Sequence, residues 1–99
     1  MILIVGTVRL PPQNLAAARP VMDHMVTASR AEAGCIEYCY AEDLFDPGLI
    51  HIKEMWCDAA ALEAHFASDH IAVWRAEWPR LGLGERELFA HDVGQGRPV

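Results

Sequence analysis

The segment Lys53 to His70, KEMWCDAAALEAHFASDH, constrains the fold more than any other part of the chain, because a strand-like stretch ending in Glu54 and Trp56 runs directly into a helix start. Asp58 signals that start. Its carboxylate can accept the free N–H groups of a first turn, and Ala59, Ala60, Ala61 and Leu62 then extend the helix with little loss of side-chain entropy. Trp56 is thereby placed at one rim of a sheet, and His65 falls about two turns into the adjoining helix. An aromatic surface, a carboxylate and an imidazole arise within one supersecondary unit, an arrangement suited to a small-molecule pocket.

The flanking sequence fills out the order of elements. Ile2 to Leu10 is rich in β-branched and aliphatic residues and stops at Pro11-Pro12, which lack ladder donors, so it reads as strand one. Leu15 to about Ala31 sets Leu15, Ala18, Met22, Met25, Val26 and Ser29 along one stripe, with Asn14 as the cap and Gly34 as the C-terminal stop. Pro20 either kinks this helix or begins its regular part. Cys35 to Glu42 alternates, with Ile36, Tyr38 and Tyr40 against Cys35, Glu37, Cys39 and Ala41. Asp46-Pro47-Gly48 turns the chain into Leu49 to Cys57, where Ile50, Ile52, Glu54 and Trp56 share a face. The second helical region bends near Ser68-Asp69, with Asp69 as the cap of a segment carrying Ile71, Trp74 and Trp78 that ends at Pro79 and Gly82. Glu85 to Val93 is the last strand, and 94–99 is a tail beyond a single domain of residues 1–93.

The order βαββαβ is that of an α+β ferredoxin-like sandwich, with two helices over one face of a four-stranded antiparallel sheet. The uncovered face needs company. Tyr38, Tyr40, Ile50, Ile52 and Phe89 supply large apolar groups to the two faces, so a homodimer through the open sheet face is expected. The length of 99 residues points the same way, since so short a chain buries only about 60–65% of its unfolded surface.

Charge excludes several classes of partner. The net charge is −6, and the eight Lys and Arg residues are scattered, a poor footprint for phosphate backbones or anionic lipid, so neither nucleic acid nor membrane is an expected partner. Met1 to Val5 is apolar but lacks a basic n-region and is too short for a signal or a span. Cys35 and Cys39 on one strand face would sit about 13 Å apart, too far to bridge. Free thiols and a cytoplasmic location are expected.

Two passages resemble the antibiotic biosynthesis monooxygenase (ABM) domain, particularly its small quinol-monooxygenase-like bacterial members. Ser29-Arg30-Ala31-Glu32-Ala33-Gly34-Cys35-Ile36-Glu37-Tyr38 is similar to the family's S-x-x-E-x-G-C-x-x-Y passage. Glu54-Met55-Trp56, Leu62-Glu63-Ala64-His65 and Ser68-Asp69-His70 are similar to its E-x-W, L-x-x-H and S-x-H. With the order of elements, the resemblance covers roughly residues 1 to 93. It implies a dimeric α/β barrel, with each pocket between sheet and helices.

The residues that bear chemistry are few. His65 is the candidate base, since a near-neutral imidazole can take a phenolic proton; the same residue can also serve as a packing histidine on its helix. Trp56 offers a face for stacking an aromatic substrate, with Trp74 and Trp78 as an opposite wall, or is core. Glu54 can orient a hydroxyl or act as a base, or be an exposed carboxylate paired with Lys53 or Arg75. His70 completes the site if the bend turns it inward and otherwise faces solvent. Tyr38, Tyr40, Ile52 and Phe66 are candidate pocket lining. His65 and His70 lie about 140° apart on a continuous helix, and the chain has no HxxxH or CxxC, so no metal site is expected. No Gly-rich loop opens a helix, so no nucleotide, flavin or other cofactor is expected.

The resemblance implies a cofactor-independent monooxygenase that oxidises a quinol-like or polyphenolic aromatic with O2. Isomerisation of a small carbonyl metabolite and a non-catalytic ligand-binding dimer module are the alternatives. Two departures bear on this. Ile52 stands where the aromatic-polyketide oxygenases have an asparagine. Arg75 and His65 stand where haem-degrading relatives have their iron-binding histidine and a required tryptophan, which disfavours haem oxygenation.

Overall fold

The computed structural model describes residues 1–99. Four strands and three helices follow in the order β1 (Ile2–Arg9), α1 (Leu15–Arg30), β2 (Cys35–Glu42), β3 (Leu49–Trp56), α2 (Ala59–Phe66), α3 (Asp69–Leu81) and β4 (Gly84–Asp92), with a 3-10 turn at Pro12–Asn14. The sheet is antiparallel throughout, with strand order β2-β3-β1-β4. This is the ferredoxin-like α+β arrangement. No helix is long and apolar enough to cross a membrane.

The strand period divides the sheet into two unlike faces. Ile4, Val8, Tyr38, Ile50, Ile52 and Trp56 meet Ala18, Met22 and Met25 of α1 and Ile71, Trp74 and Leu81 of α3 in one buried cluster. The other face is open and mixed: Phe89, 62% exposed, shares it with His51 and Lys53 two strands away.

Several expectations need correction. A bulge between Cys35 and Glu37 makes Cys35 pair with Trp56 and Tyr38 with Glu54, so Cys35 shares the covered face with Tyr38 and Tyr40. Ile36, the extra residue, turns out to 54% exposure, and Cys39 falls on the opposite face from Cys35. Asn14 stands at the N-cap position of α1 but makes no side-chain cap hydrogen bond; its amide donates instead to the Leu81 carbonyl at 2.9 Å, tying the start of α1 to the end of α3. Pro20 lies inside a helix that runs continuously from Leu15 to Arg30. Gly34 is not the stop of α1, which caps at Ala31. A Cβ at Gly34 would collide with the Ala61 side chain, so this glycine lets α2 approach the start of β2. Ser68, not Asp69, caps α3, its hydroxyl accepting from the Ile71 N–H at 3.4 Å.

Candidate active site

Local sequence places each group of the site. β3 presents Ile50, Ile52, Glu54 and Trp56 toward the helices, so the carboxylate and the indole are buried by the same alternation that buries the aliphatic residues. Asp58 accepts the Ala61 N–H at 2.8 Å and starts α2, which delivers His65 beneath its last turn. The Ser68 hydroxyl donates to the His65 carbonyl at 2.6 Å and lies 3.2 Å from His70 Nε2, so the bend between α2 and α3 turns His70 inward. Glu32, in the turn after α1, completes the group.

These side chains form two hydrogen-bonded groups, His70–Glu32–His65 and Trp56–Glu54, that face each other across 3.9 Å. Glu32 Oε2 lies 2.6 Å from His65 Nδ1 and 2.9 Å from His70 Nε2. A proton on His65 Nδ1 donated to Glu32 leaves Nε2 as the basic nitrogen, and that atom is 3.9 Å from Glu54 Oε1. Trp56 donates its indole N–H to the same Glu54 oxygen at 3.0 Å. His65 is 2% exposed and Glu54 4%, within a shell formed by Trp56, 4.5 Å from the imidazole centroid, and Tyr38 at 5.3 Å.

Burial shifts both groups toward neutrality. It raises the Glu54 carboxyl above its ordinary 4.5, opposed by the Trp56 hydrogen bond and Arg86. It lowers His65 below 6.5, opposed by the hydrogen bond and charge of Glu32. The Tyr38 phenol is raised far above its ordinary range and that of Tyr40 is pushed up to about 12, both by burial, so neither is a base near neutral pH.

Glu54 opens onto a cavity of about 390 Å³ between α2, α3 and the β4 edge, lined also by Ile4, Leu62, Phe66, Arg75, Arg86, Leu88, Phe89 and Ala90. That volume falls in the range of small-ligand sites, roughly 300–1,000 Å³. A hollow of about 230 Å³ between α1 and β2 has Arg19 and Glu42 at its mouth and no imidazole. Glu54, the deeply buried carboxyl, lines only the cavity beside α2, α3 and β4, whereas Glu32 lines a separate hollow at the start of α2.

Of the residues singled out from sequence, Glu54 and Phe66 line this cavity. His65 sits behind Glu54, and His70 is joined to it through Glu32. Trp56, with 0% exposure, is wholly enclosed: no ring face is free for stacking, and its N–H orients Glu54. Tyr38, Ile52 and Trp74 are packed in the core, and Tyr40 stacks on Tyr38 with ring centroids 5.7 Å apart. Glu54 does not pair with Lys53, which instead meets Glu37 at 2.8 Å across the open face.

Glu32 and Arg86 escaped the sequence reading, and Arg75, considered there as an ion-pair partner of Glu54, instead lines the cavity with it. Glu32 lies in the S-x-x-E-x-G-C passage, but its partners are 33 and 38 residues away. Histidine spacing and the absence of HxxxH and CxxC pairs do not reveal a set completed by a distant carboxylate. Glu32, His65 and His70 bring ligand-capable atoms within 4.8 Å of one another, a set of the kind divalent metals use, and here they satisfy one another through hydrogen bonds.

Fold and site together define a small α+β protein with a carboxylate–imidazole pair at the floor of an apolar cavity. The chain belongs to the antibiotic biosynthesis monooxygenase family, whose model matches residues 1–77. A candidate antibiotic biosynthesis monooxygenase of Deinococcus radiodurans shares the fold with a TM-score of 0.91 at 26% identity, covering 100% of this chain and 98% of that one. A candidate monooxygenase of Mycobacterium tuberculosis superposes with a TM-score of 0.84 at 26% identity over 98% of both chains. In sequence it is 35% identical over 66 residues, 67% of this chain. A Synechocystis protein of unassigned function is 28% identical over 94 residues, 95% of this chain. Each of these two sequence matches spans 64% of the relative's length.

Proposed function

We propose that the protein is a cofactor-independent monooxygenase that oxidises a quinol-like or polyphenolic aromatic with O2. The observation that carries this reading is the desolvated Glu54 carboxylate at the cavity floor, backed by the His65–Glu32 pair. Glu54 takes a hydroxyl proton from the substrate, and His65 Nε2, 3.9 Å behind it, accepts the proton while Glu32 stabilises the resulting imidazolium. Trp56 acts as a positioning residue that fixes the receiving carboxylate. The anion so formed is electron-rich and reduces O2: one oxygen atom enters the ring and the other leaves as water, so that hydroquinone plus O2 gives hydroxybenzoquinone plus H2O. Family membership and the relatives named as candidate monooxygenases support the reaction class.

The same pair could return the proton to a neighbouring carbon of a small carbonyl compound, an isomerisation without O2. Oxygen uptake by the purified protein separates the two, tested with a panel of hydroquinones beside the Glu54→Gln variant and an autoxidation control. Uptake above autoxidation that falls by about 10²- to 10⁴-fold in the variant is the expected result for loss of a general base. Uptake undiminished in Glu54→Gln, or none across the panel, would overturn the oxygenase reading.

The proposal includes a homodimer through the open sheet face, supported by exposed Phe89 there, and a reducing, cytoplasmic setting, in keeping with three free cysteines. A solution mass of twice the chain by light scattering is expected.

A further inference from the structure

We infer that the Glu54 cavity binds an aromatic substrate carrying a carboxylate, held by Arg75 and Arg86 while the ring hydroxyl meets Glu54. This rests on the site reading above and adds the charge class of the ligand. Arginine pairing carries the argument. The chain has fourteen acidic residues and only eight Lys and Arg, so a carboxylate partner is easy for any cation to find. Arg9 pairs with Asp46, Arg19 with Glu42, Lys53 with Glu37 and Arg80 with Glu77, while Arg30 donates to the Tyr38 carbonyl. Arg97 lies in the C-terminal tail. Arg75 and Arg86 form no salt bridge, Arg86 acting on the Glu54 carboxyl through its charge alone, and both line the one cavity that contains Glu54.

The two guanidinium groups lie against aromatic rings instead, Arg75 5.8 Å from the Phe66 centroid and Arg86 4.8 Å from that of Trp78. Stacking leaves the edge N–H donors of a guanidinium free for the fork that matches a carboxylate. At the same corner, the Trp78 indole N–H is buried without an acceptor, so donors are in surplus. Two guanidiniums against a single carboxyl leave the cavity lining net positive, the complement of an anion. The apolar wall of Ile4, Leu62, Phe66 and Leu88 accommodates the ring.

Calorimetric titration of the full chain with 2,5-dihydroxybenzoate, its amide and the phosphate ester of hydroquinone tests the assignment. The acid is expected to bind at least about tenfold more tightly than the amide, a margin that shrinks as salt is raised. In the Arg75→Gln/Arg86→Gln variant, which changes two exposed side chains, the acid should fall to the affinity of the amide. An acid no tighter than the amide, a preference that survives in the variant, a phosphate ester tighter than the acid, or no saturable binding would each overturn the inference. Tight, arginine-dependent binding of the acid without oxygen uptake would sink the oxidation chemistry and leave the carboxylate site standing.

Discussion

The two ends of the covered sheet face are built on opposite principles. At one end Val8 pairs with Ile50, and both are buried in the apolar cluster together with Leu10 and Leu81. At the other, four residues further along β3, Glu54 and Trp56 sit under His65 with Glu32 and His70 behind. Glu54, Trp56 and His65 are as deeply buried as the aliphatic residues, although Glu54 opens onto the cavity. Burial of apolar surface stabilises the first at roughly 25 cal/mol per Å², whereas burial of a carboxylate and an imidazole costs free energy that hydrogen bonds only partly offset. One strand thus carries stability in its first half and chemistry in its second.

Substitutions can break this contrast, and the largest effect belongs to the apolar end. Ile50→Ala removes a fully buried side chain and should cost roughly 2–5 kcal/mol in urea unfolding. The turnover of the molecules that remain folded should be unchanged. Glu32→Ala at the polar end should cost less, roughly 1–3 kcal/mol, the penalty of leaving the buried His65 Nδ1–H without an acceptor. Here turnover should fall, because the imidazolium loses its stabilising carboxylate. If Glu32→Ala unfolds the protein more readily than Ile50→Ala, the polar end is a stability element and the division fails.

The apolar end was the more legible in sequence, for a physical reason. Aliphatic period and turn chemistry are local, so the strands, the Asp46-Pro47-Gly48 hairpin and the Asp58 start of α2 follow from neighbouring residues. The period also placed Glu54 on the buried face beside Trp56. What stayed hidden depends on distant partners. The bulge at Ile36 is a matter of register against β3, which alternation within β2 cannot reveal. Asn14 meets the Leu81 carbonyl 67 residues away, and Glu32 meets His70 across 38. Arg75 and Arg86 became site residues only once α3 and β4 were set on either side of one cavity.

The smallest expected effect lies in pH dependence, and its sign is specific. Glu54 has a raised folded-state pKa, so its contribution to stability is complete below 4.5 and is lost as pH rises through the folded value. His65 has a depressed one, so its contribution is complete above 6.5 and is lost as pH falls toward the folded value. In the wild-type chain these opposed slopes partly cancel. The exposed pairs Arg9–Asp46 and Lys53–Glu37 add a background common to all variants, so differences from wild type isolate the two buried groups. Between about pH 4 and about pH 8, the unfolding midpoint of Glu54→Gln relative to wild type should climb with pH, and that of His65→Gln should decline. Two flat difference profiles would mean that neither group is desolvated at a cost, and the two ends of the sheet would then differ in shape alone. Opposed slopes would show that the chain holds an acid and a base in a dry site at a standing cost to its own stability, with the apolar end of the same strand supplying the offset.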